Sequence, residues 1–405
     1  MKVEKMSSFS GGMLWFGAAV SIAEIFTGAL LAPLGLTQGL LAIVLGHVIG
    51  GALMYSIGII GANSGLSAME STGMTFGRGG SIFFSVLNIL QLLGWTAVMI
   101  ISGANAMNTS LNVGNPVLWS IVIGLMIALW IAVGIRNISK INLVAVGSLF
   151  LLSIVMGVVV FKSSTVVMHE STLSFALAIE LSIAMPVSWL PLISDYTKHA
   201  KNPISFTLTS TVAYFIGSCF MYAIGLGAAI YTGSSDVVAL LSASGLGVAA
   251  MLIAVLSTVT TTYLDVYSAG ESMMNIHPFK SPKAIGLGVC AIGTAIAIFM
   301  PIRQYENFLY LIGSVFVPMA AIMIADEILV KGLFKLYKRD TEQHQTHQRR
   351  INQKHLQNSL LWLVGFITYR ILLTNPTPIG STLPVIALLF ALSLAINTLN
   401  QKVKS

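Results

Sequence analysis

Charge is scarce in this chain. Asp, Glu, Lys and Arg make up 9% of its 405 residues, against about 25% in a soluble domain, while hydrophobic residues make up 56%. So few charges cannot cover a water-facing surface. Cysteine is scarcer still. Cys219 and Cys290 both lie inside apolar runs, so no disulfide framework is implied. No GxxxxGK[ST] occurs, which excludes nucleotide hydrolysis by a P-loop. HEST at His169 is not HExxH, and HQTH at His344 lies in a stretch read as a solvated polar loop. Gly286, Gly288 and Gly293 do not follow a strand; they read as close helix packing, as do Gly46 and Gly50 in GHVIG. No nucleophile–base constellation is present, so neither an enzyme nor a cofactor is expected. Glu24 and Asp265 are the only acidic pair that a membrane-embedded catalyst could use.

What the chain has instead is length of apolar sequence. A membrane-spanning helix needs roughly 20 apolar residues. Twelve stretches qualify, near 11–32, 38–60, 81–108, 117–135, 141–161, 174–194, 204–232, 246–270, 284–300, 307–330, 357–373 and 381–399. The expected class is an all-α polytopic membrane protein with twelve transmembrane helices. All Lys and Arg residues except Lys162, Arg303 and Arg370 fall in every second gap between these stretches. Basic side chains beside spans stay on the cytoplasmic side, so both termini are expected in the cytoplasm and the chain in the cell (inner or plasma) membrane. The first apolar stretch is too long for a cleavable signal and no small-residue cleavage site follows it. The net charge of +7 is then mostly this bias, and no nucleic-acid partner is expected. The basic segment from Lys331 to Lys354 reads as a solvated loop, with membrane lipid the partner it could touch.

Two spans are interrupted. The first, MLWFGAAVSIAEIFTGALLAPLGL, carries Glu24 at mid-membrane, then Thr27-Gly28, and ends at Pro33. The sixth, LAIELSIAMPVSWLPLISDYTKHAKNP, carries Glu180, Pro186 and Pro191. A proline inside a helix removes an amide donor and clashes with the preceding turn, so a bend or unwinding near Pro186 is expected. Spans one and six each begin a set of five, and an odd number inverts the second set. Paired broken helices in inverted halves mark a transporter's central site. The expected organisation is a five-helix repeat at 11–161, an inverted repeat at 174–330, a cytoplasmic basic loop at 331–356 and two peripheral helices at 357–400.

Polar residues at membrane depth need a reason. Glu24 needs a ligand, a proton or a partner, because a carboxylate there costs several kcal/mol. Asp265 in the eighth span reads either as substrate-facing or as a structural acceptor, and Glu180 reads as near enough to the outer end to reach water. Asn88, Gln91 and Trp95 share one face of the third span. An aromatic plate above two amides suits a flat polar heterocycle, and helix–helix bonding with ordinary packing is the alternative. Ser257, Thr258, Thr260, Thr261 and Thr262 crowd the eighth span, offering hydroxyl oxygens to a hard cation.

TGALLAPLGL, GANSGL with TFGRGG, LLGW, SDYTKHAKN, STVTT and IADEILVK occur in that order between about Trp15 and Lys331. With these motifs the chain resembles the nucleobase:cation symporter-1 family, and within it the branch of hydroxymethylpyrimidine permeases. The resemblance implies the five-plus-five inverted-repeat fold of the sodium-coupled amino-acid transporters. It implies a cation held by the carbonyls of Gly17, Val20 and Ser257 and the hydroxyls of Thr260 and Thr261. The family's stacking tryptophan matches Trp95, and Ser188 matches a substrate-contacting position. The second stacking aromatic falls at Pro186, which cannot stack alike. The family's glutamine is displaced by a residue, with Gln91 nearest, and Glu24 stands where cytosine carriers look small and neutral.

The expected function is therefore a monomeric secondary active transporter working by alternating access. It would import a small heteroaromatic, the pyrimidine precursor of thiamine foremost, on a Na⁺ or H⁺ gradient. A cytosine or purine carrier is the alternative within the class, and a channel or membrane sensor the alternative outside it. A channel should repeat polar rings, and a sensor should carry a cytoplasmic output domain longer than the 331–354 segment.

Overall fold

The structure, a computed structural model, describes residues 5–111, 114–133, 147, 150–151, 154–155, 157–162, 173–232, 247–277, 281–299, 305–331 and 344–402. Their helices with described bounds are α1 Ser8–Ala19, α2 Ile22–Ala29, α3 Gly35–Ser64, α4 Ala68–Leu111, α5 Pro116–Val133, α6 Phe175–Ser188, α7 Leu190–Thr197, α8 Pro203–Thr232, α9 Gly247–Ile276, α10 Pro282–Phe299, α11 Tyr305–Lys331, α12 His344–Thr374 and α13 Thr382–Lys402; the described residues between 147 and 161 are helical as well. Among the described residues there is no sheet, only isolated bridges at Met6–Ala200 and Thr377–Gly380. Among the described residues six helical spans are long and apolar enough to cross a membrane, and the bent pair α1–α2 adds a seventh. Shorter apolar helices cover Pro116–Ala132, Lys283–Phe299 and Thr382–Ile396. The expected span at 141–161 lies largely outside the described residues, as do Arg136, Lys140, Lys280 and Arg303.

The first expected break is real and falls just before Glu24. Helices α1 and α2 meet at 51°. Val20 ends α1 with φ −79° and ψ 80°, and Ser21 turns extended and caps α2, its Oγ accepting from the Ala23 amide at 3.1 Å. A serine hydroxyl at an N-cap replaces a backbone bond that the turn forfeits. Beyond α2, Pro33 sits in a 3-10 turn, Ala32–Leu34.

The break in the sixth span lies later and is milder than expected. Pro186 stays inside α6, and the chain turns at Trp189, whose amide reaches back to the Pro186 carbonyl at 3.3 Å. Phe175–Thr197 still passes as one span. Pro191 at the start of α7 needs no donor there, so the two prolines flank the turn. Part of the segment expected as a basic loop is helical instead. Residues 344–356 continue α12, because from His344 to Val364 no Gly or Pro intervenes and the Gln, Arg and Lys side chains favour helix. His344 and its HQTH are thus helical.

Glycines bring backbones together around the centre. A Cβ on Gly28 of α2 would stand 2.6 Å from Tyr222 Cα of α8, and one on Gly225 2.7 Å from the Ile25 carbonyl carbon. On α3, Gly46, Gly50 and Gly61 face Ser182, Pro186 and Ser194 of α6–α7. Gly286 and Gly293 pack on Val266 and Thr96, whereas Gly288 meets nothing within 4 Å. At the end of the bundle that carries the SDYTKHAKN motif, polar side chains tie the backbones. Ser194 and Thr197 donate to the Ile57 and Gly58 carbonyls, Asp195 Oδ1 accepts from the Ala68 amide at 2.8 Å, and Lys198 pairs with Glu271 at 2.6 Å.

A candidate substrate site at the helix break

A small cavity opens where α1 hands over to α2. It is lined by Ala18, Ser21, Ala23 and Glu24 of that pair, Trp95 and Met99 of α4, Met185, Ser188 and Trp189 of the α6–α7 turn, and Thr261 and Asp265 of α9. Of the residues read from sequence, Glu24, Trp95, Ser188, Asp265 and Thr261 therefore come together.

The two indoles are each held by aromatic edges. Trp95 meets Phe308 at 5.4 Å and Tyr305 at 6.1 Å between ring centroids. Trp189 meets Trp15 at 5.3 Å and Tyr214 at 6.2 Å. The Trp95 indole N–H is buried and hydrogen-bonds to nothing among the described residues, that of Trp189 lies toward the Tyr214 hydroxyl, and Asp265, 3% exposed, accepts no hydrogen bond from either indole. Such unspent polar capacity in a buried wall is costly unless something occupies it. Ser188, by contrast, spends its hydroxyl on the Met185 carbonyl at 2.6 Å.

The remaining expectations divide. Asn88 does not face the cavity: its Nδ2 donates to the Pro191 carbonyl at 3.1 Å and to Ser272 Oγ at 2.8 Å, so it joins α4 to α7 and α9. Gln91 donates to Asn88 Oδ1 and to the Ser188 carbonyl, both at 3.0 Å, leaving Oε1 buried without a donor. The one-face array is correct, yet its two amides serve first as helix–helix bonds. Pro186 turns away from the cavity, its ring against Gly50. Glu180 does not reach water. It is 1% exposed and accepts from Tyr369, the Ser381 and Thr382 amides and Thr382 Oγ, which anchors the start of α13 to α6. Glu24 borders the cavity but is tied to α8, Oε1 accepting from Tyr214 and Oε2 from Ser218, both at 2.7 Å.

Trp189 escaped the sequence reading because the family position points to Pro186; an aromatic set between two prolines was the available signal. His47, Tyr214 and Ser218 were missed as well. Tyr214 and Ser218 share a helical face (i, i+4), and GHVIG holds a histidine among glycines.

Of the residues proposed for a cation, Gly17 and Val20 lie at the break and Thr261 lines the cavity beside it. The Ser21 amide bonds to Ala19 rather than Gly17, so the Gly17 carbonyl loses its helical donor, and Val20 leaves helical geometry. Thr261 Oγ1 is buried and unpartnered. Thr260 donates to the Leu256 and Ser257 carbonyls, leaving its oxygen lone pairs available. Among the described residues no cluster of His, Cys, Asp and Glu could hold a transition metal.

The model of the family of permeases for cytosine/purines, uracil, thiamine and allantoin matches residues 7–396. The chain belongs to this family, the nucleobase:cation symporters. A cytosine permease of Escherichia coli O157:H7 is 26% identical over 317 residues, 76% of this chain and 74% of its own. Mhp1, a nucleobase-cation-symport-1 family transporter solved closed with bromovinylhydantoin bound, superposes with a TM-score of 0.78 at 20% identity, covering 97% of this chain and 93% of that one. Its inward-facing conformation gives 0.79 at 19% identity, over 99% and 92%. A Na⁺-coupled sialic acid symporter, outward-open, gives 0.61 at 14% identity, over 91% and 90%. These similarities show a shared transporter fold. The chain is a multi-pass membrane transporter, not an enzyme.

Proposed function

We propose that this transporter imports a small aminopyrimidine, 4-amino-5-hydroxymethyl-2-methylpyrimidine before cytosine, by cation-coupled alternating access around the cavity at the α1–α2 break. One observation carries the reading. The cavity wall combines two indole plates with polar groups whose hydrogen-bonding capacity is unspent. Trp95 and Trp189 offer faces for stacking, Trp95 adds an unspent N–H donor, and Asp265 offers acceptors. An aminopyrimidine presents the complement: a flat ring, an amino donor and ring-nitrogen acceptors. Gln91 Oε1, whose amide nitrogen is fixed by Ser188, is a second acceptor close to the wall. Glu24, held by α8, is less free to read the ring edge than its position in the sequence suggests. The Na⁺ ligands in this reading are the carbonyls of Gly17, Val20 and Ser257 and the hydroxyls of Thr260 and Thr261. The repeats at 11–161 and 174–330 would rock about them.

A thermal-shift screen of the purified protein against pyrimidines, purines and thiamine precursors, with and without Na⁺, tests the proposal. Stabilisation by the aminopyrimidine and not by its analogue lacking the amino group is the expected result. Stabilisation by purines alone would transfer the reading to a purine carrier. Counterflow of labelled substrate in proteoliposomes separates a carrier from a channel or sensor.

A further inference from the structure

Four hydrogen bonds run in a line from α8 through α2 to α3. The Tyr214 hydroxyl donates to Glu24 Oε1 at 2.7 Å, and Glu24 Oε2 and Ser218 Oγ lie 2.7 Å apart. Ser218 Oγ and His47 Nε2 lie 2.6 Å apart, and His47 Nδ1 is 2.8 Å from the Ile43 carbonyl. Glu24, His47, Ser218 and Tyr214 are each at most 1% exposed, so bulk water does not reach these bonds.

Hydrogens can be counted along this line. A carbonyl only accepts, so His47 Nδ1 must carry its hydrogen. Four bonds need four hydrogens. Tyr214, Ser218 and a neutral imidazole supply three, and a carboxylate supplies none. The fourth is an additional proton. It has two places to sit. In one, the Glu24 carboxyl donates to Ser218, which donates to His47 Nε2, and both end groups are neutral. In the other, His47 Nε2 donates to Ser218, which donates to Glu24, giving a buried ion pair. They interconvert when the Glu24 O–H breaks as an O–H forms on Ser218, whose own proton passes to His47 Nε2. Removing the proton leaves two acceptors facing each other beside an unbalanced buried charge, which is strongly disfavoured.

Among the described residues the surroundings supply no countercharge. Tyr222 packs edge-on against His47 at 4.8 Å and spends its hydroxyl on the Leu181 carbonyl. Cys219 and Tyr305 are the other titratable groups near Glu24, and Asp265 borders the same cavity from α9. Among the described residues no Lys or Arg pairs with Glu24.

We propose that Glu24, Ser218 and His47 form a proton-binding site, loaded and unloaded through the central cavity, that couples substrate movement to H⁺. Of the three, only Glu24 lines the cavity, so it is the port of exchange, and His47 is the inner store. Buried Glu and His chains within spans are the usual material of proton relays. The site's members sit on three helices, α2, α8 and α3, and the proton leaves by the side of Glu24 that faces the cavity. This coupling rests on the reading of the chain as a carrier.

Two measurements test it. Infrared spectra of the purified wild type over a pH series, without substrate, should show a protonated-carboxyl band absent from Glu24→Gln. In His47→Gln the amide donates to Ser218 without an extra proton, so this band should vanish about one pH unit or more below wild type. In proteoliposomes with equal Na⁺ on both sides, an inward proton gradient should raise uptake of labelled hydroxymethylpyrimidine or cytosine several-fold. Ser218→Ala, which deletes a single oxygen and stands in where His47→Gln does not fold, should lose that response. Absence of the Glu24 band, an unmoved band in His47→Gln, or uptake blind to the proton gradient overturns the proposal. If wild type takes up neither pyrimidine, the substrate reading fails and the infrared result alone decides the proton site.

Discussion

Trp95 and Trp189 enclose the cavity with differently built supports, and that difference makes them testable apart. Losing a stack on a flat ring should weaken binding by about 1–3 kcal/mol, by analogy with base–aromatic contacts. Trp95→Ala and Trp189→Ala should therefore each weaken aminopyrimidine binding by titration while leaving membrane insertion intact. Unchanged affinity in Trp189→Ala would leave it as packing for Trp15 and Tyr214. Thr261 is the cleanest probe of the cation. Thr261→Val keeps the shape and deletes the unpartnered oxygen, so the Na⁺ concentration for half-maximal stabilisation should rise steeply, with substrate affinity at saturating Na⁺ changing less. Glu180 answers a structural question. Glu180→Leu strands the Ser381 and Thr382 amides in a buried setting, costing about 1–3 kcal/mol per unpaired group. Glu180→Gln should cost less, because its oxygen can keep the amides while the Tyr369 and Thr382 hydroxyls rotate. Melting temperatures should fall in the order wild type, Gln, Leu.

The α1–α2 hinge and its seat on α8 depend on backbone proximity more than on any side chain. Gly28→Ala would place a methyl within 2.6 Å of Tyr222 Cα, and backbone atoms cannot swing aside as a side chain would. Overpacking of this kind costs about 1–3 kcal/mol. The variant should melt at a lower temperature and also lose substrate stabilisation, because α2 carries Glu24 into the cavity. Gly77 is a contrasting case. Its φ is +71° inside the long α4, and an added Cβ would meet His355 Nδ1 at 2.6 Å. Gly77→Ala should destabilise the protein far from the cavity without altering ligand selectivity.

The orientation of the whole bundle rests on charge placement. Lys162 and Lys201 are both exposed and belong to opposite kinds of gap. With Cys219 and Cys290 replaced, a cysteine at position 201 should react with an impermeant maleimide only after cells are permeabilised, and one at position 162 should react in intact cells. The reverse pattern would invert the topology.

The class of protein and the existence of the first helix break were legible in the sequence, because both follow from local chemistry. Apolar length makes a span, and a carboxylate at mid-membrane followed by Thr-Gly and a proline marks an interruption. The neighbourhood of that carboxylate was not legible. Glu24 meets Tyr214 and Ser218 about 190 residues away, and no periodicity links such distant positions. For the same reason Asn88 looked like a ligand reader until its partners on α7 and α9 were known, and Glu180 looked wet until the start of α13 covered it. Spacing along one helix fixes which residues share a face. Which helix that face meets is set by packing among all of them, where the glycines of α2, α3 and α8 let backbones close to contact.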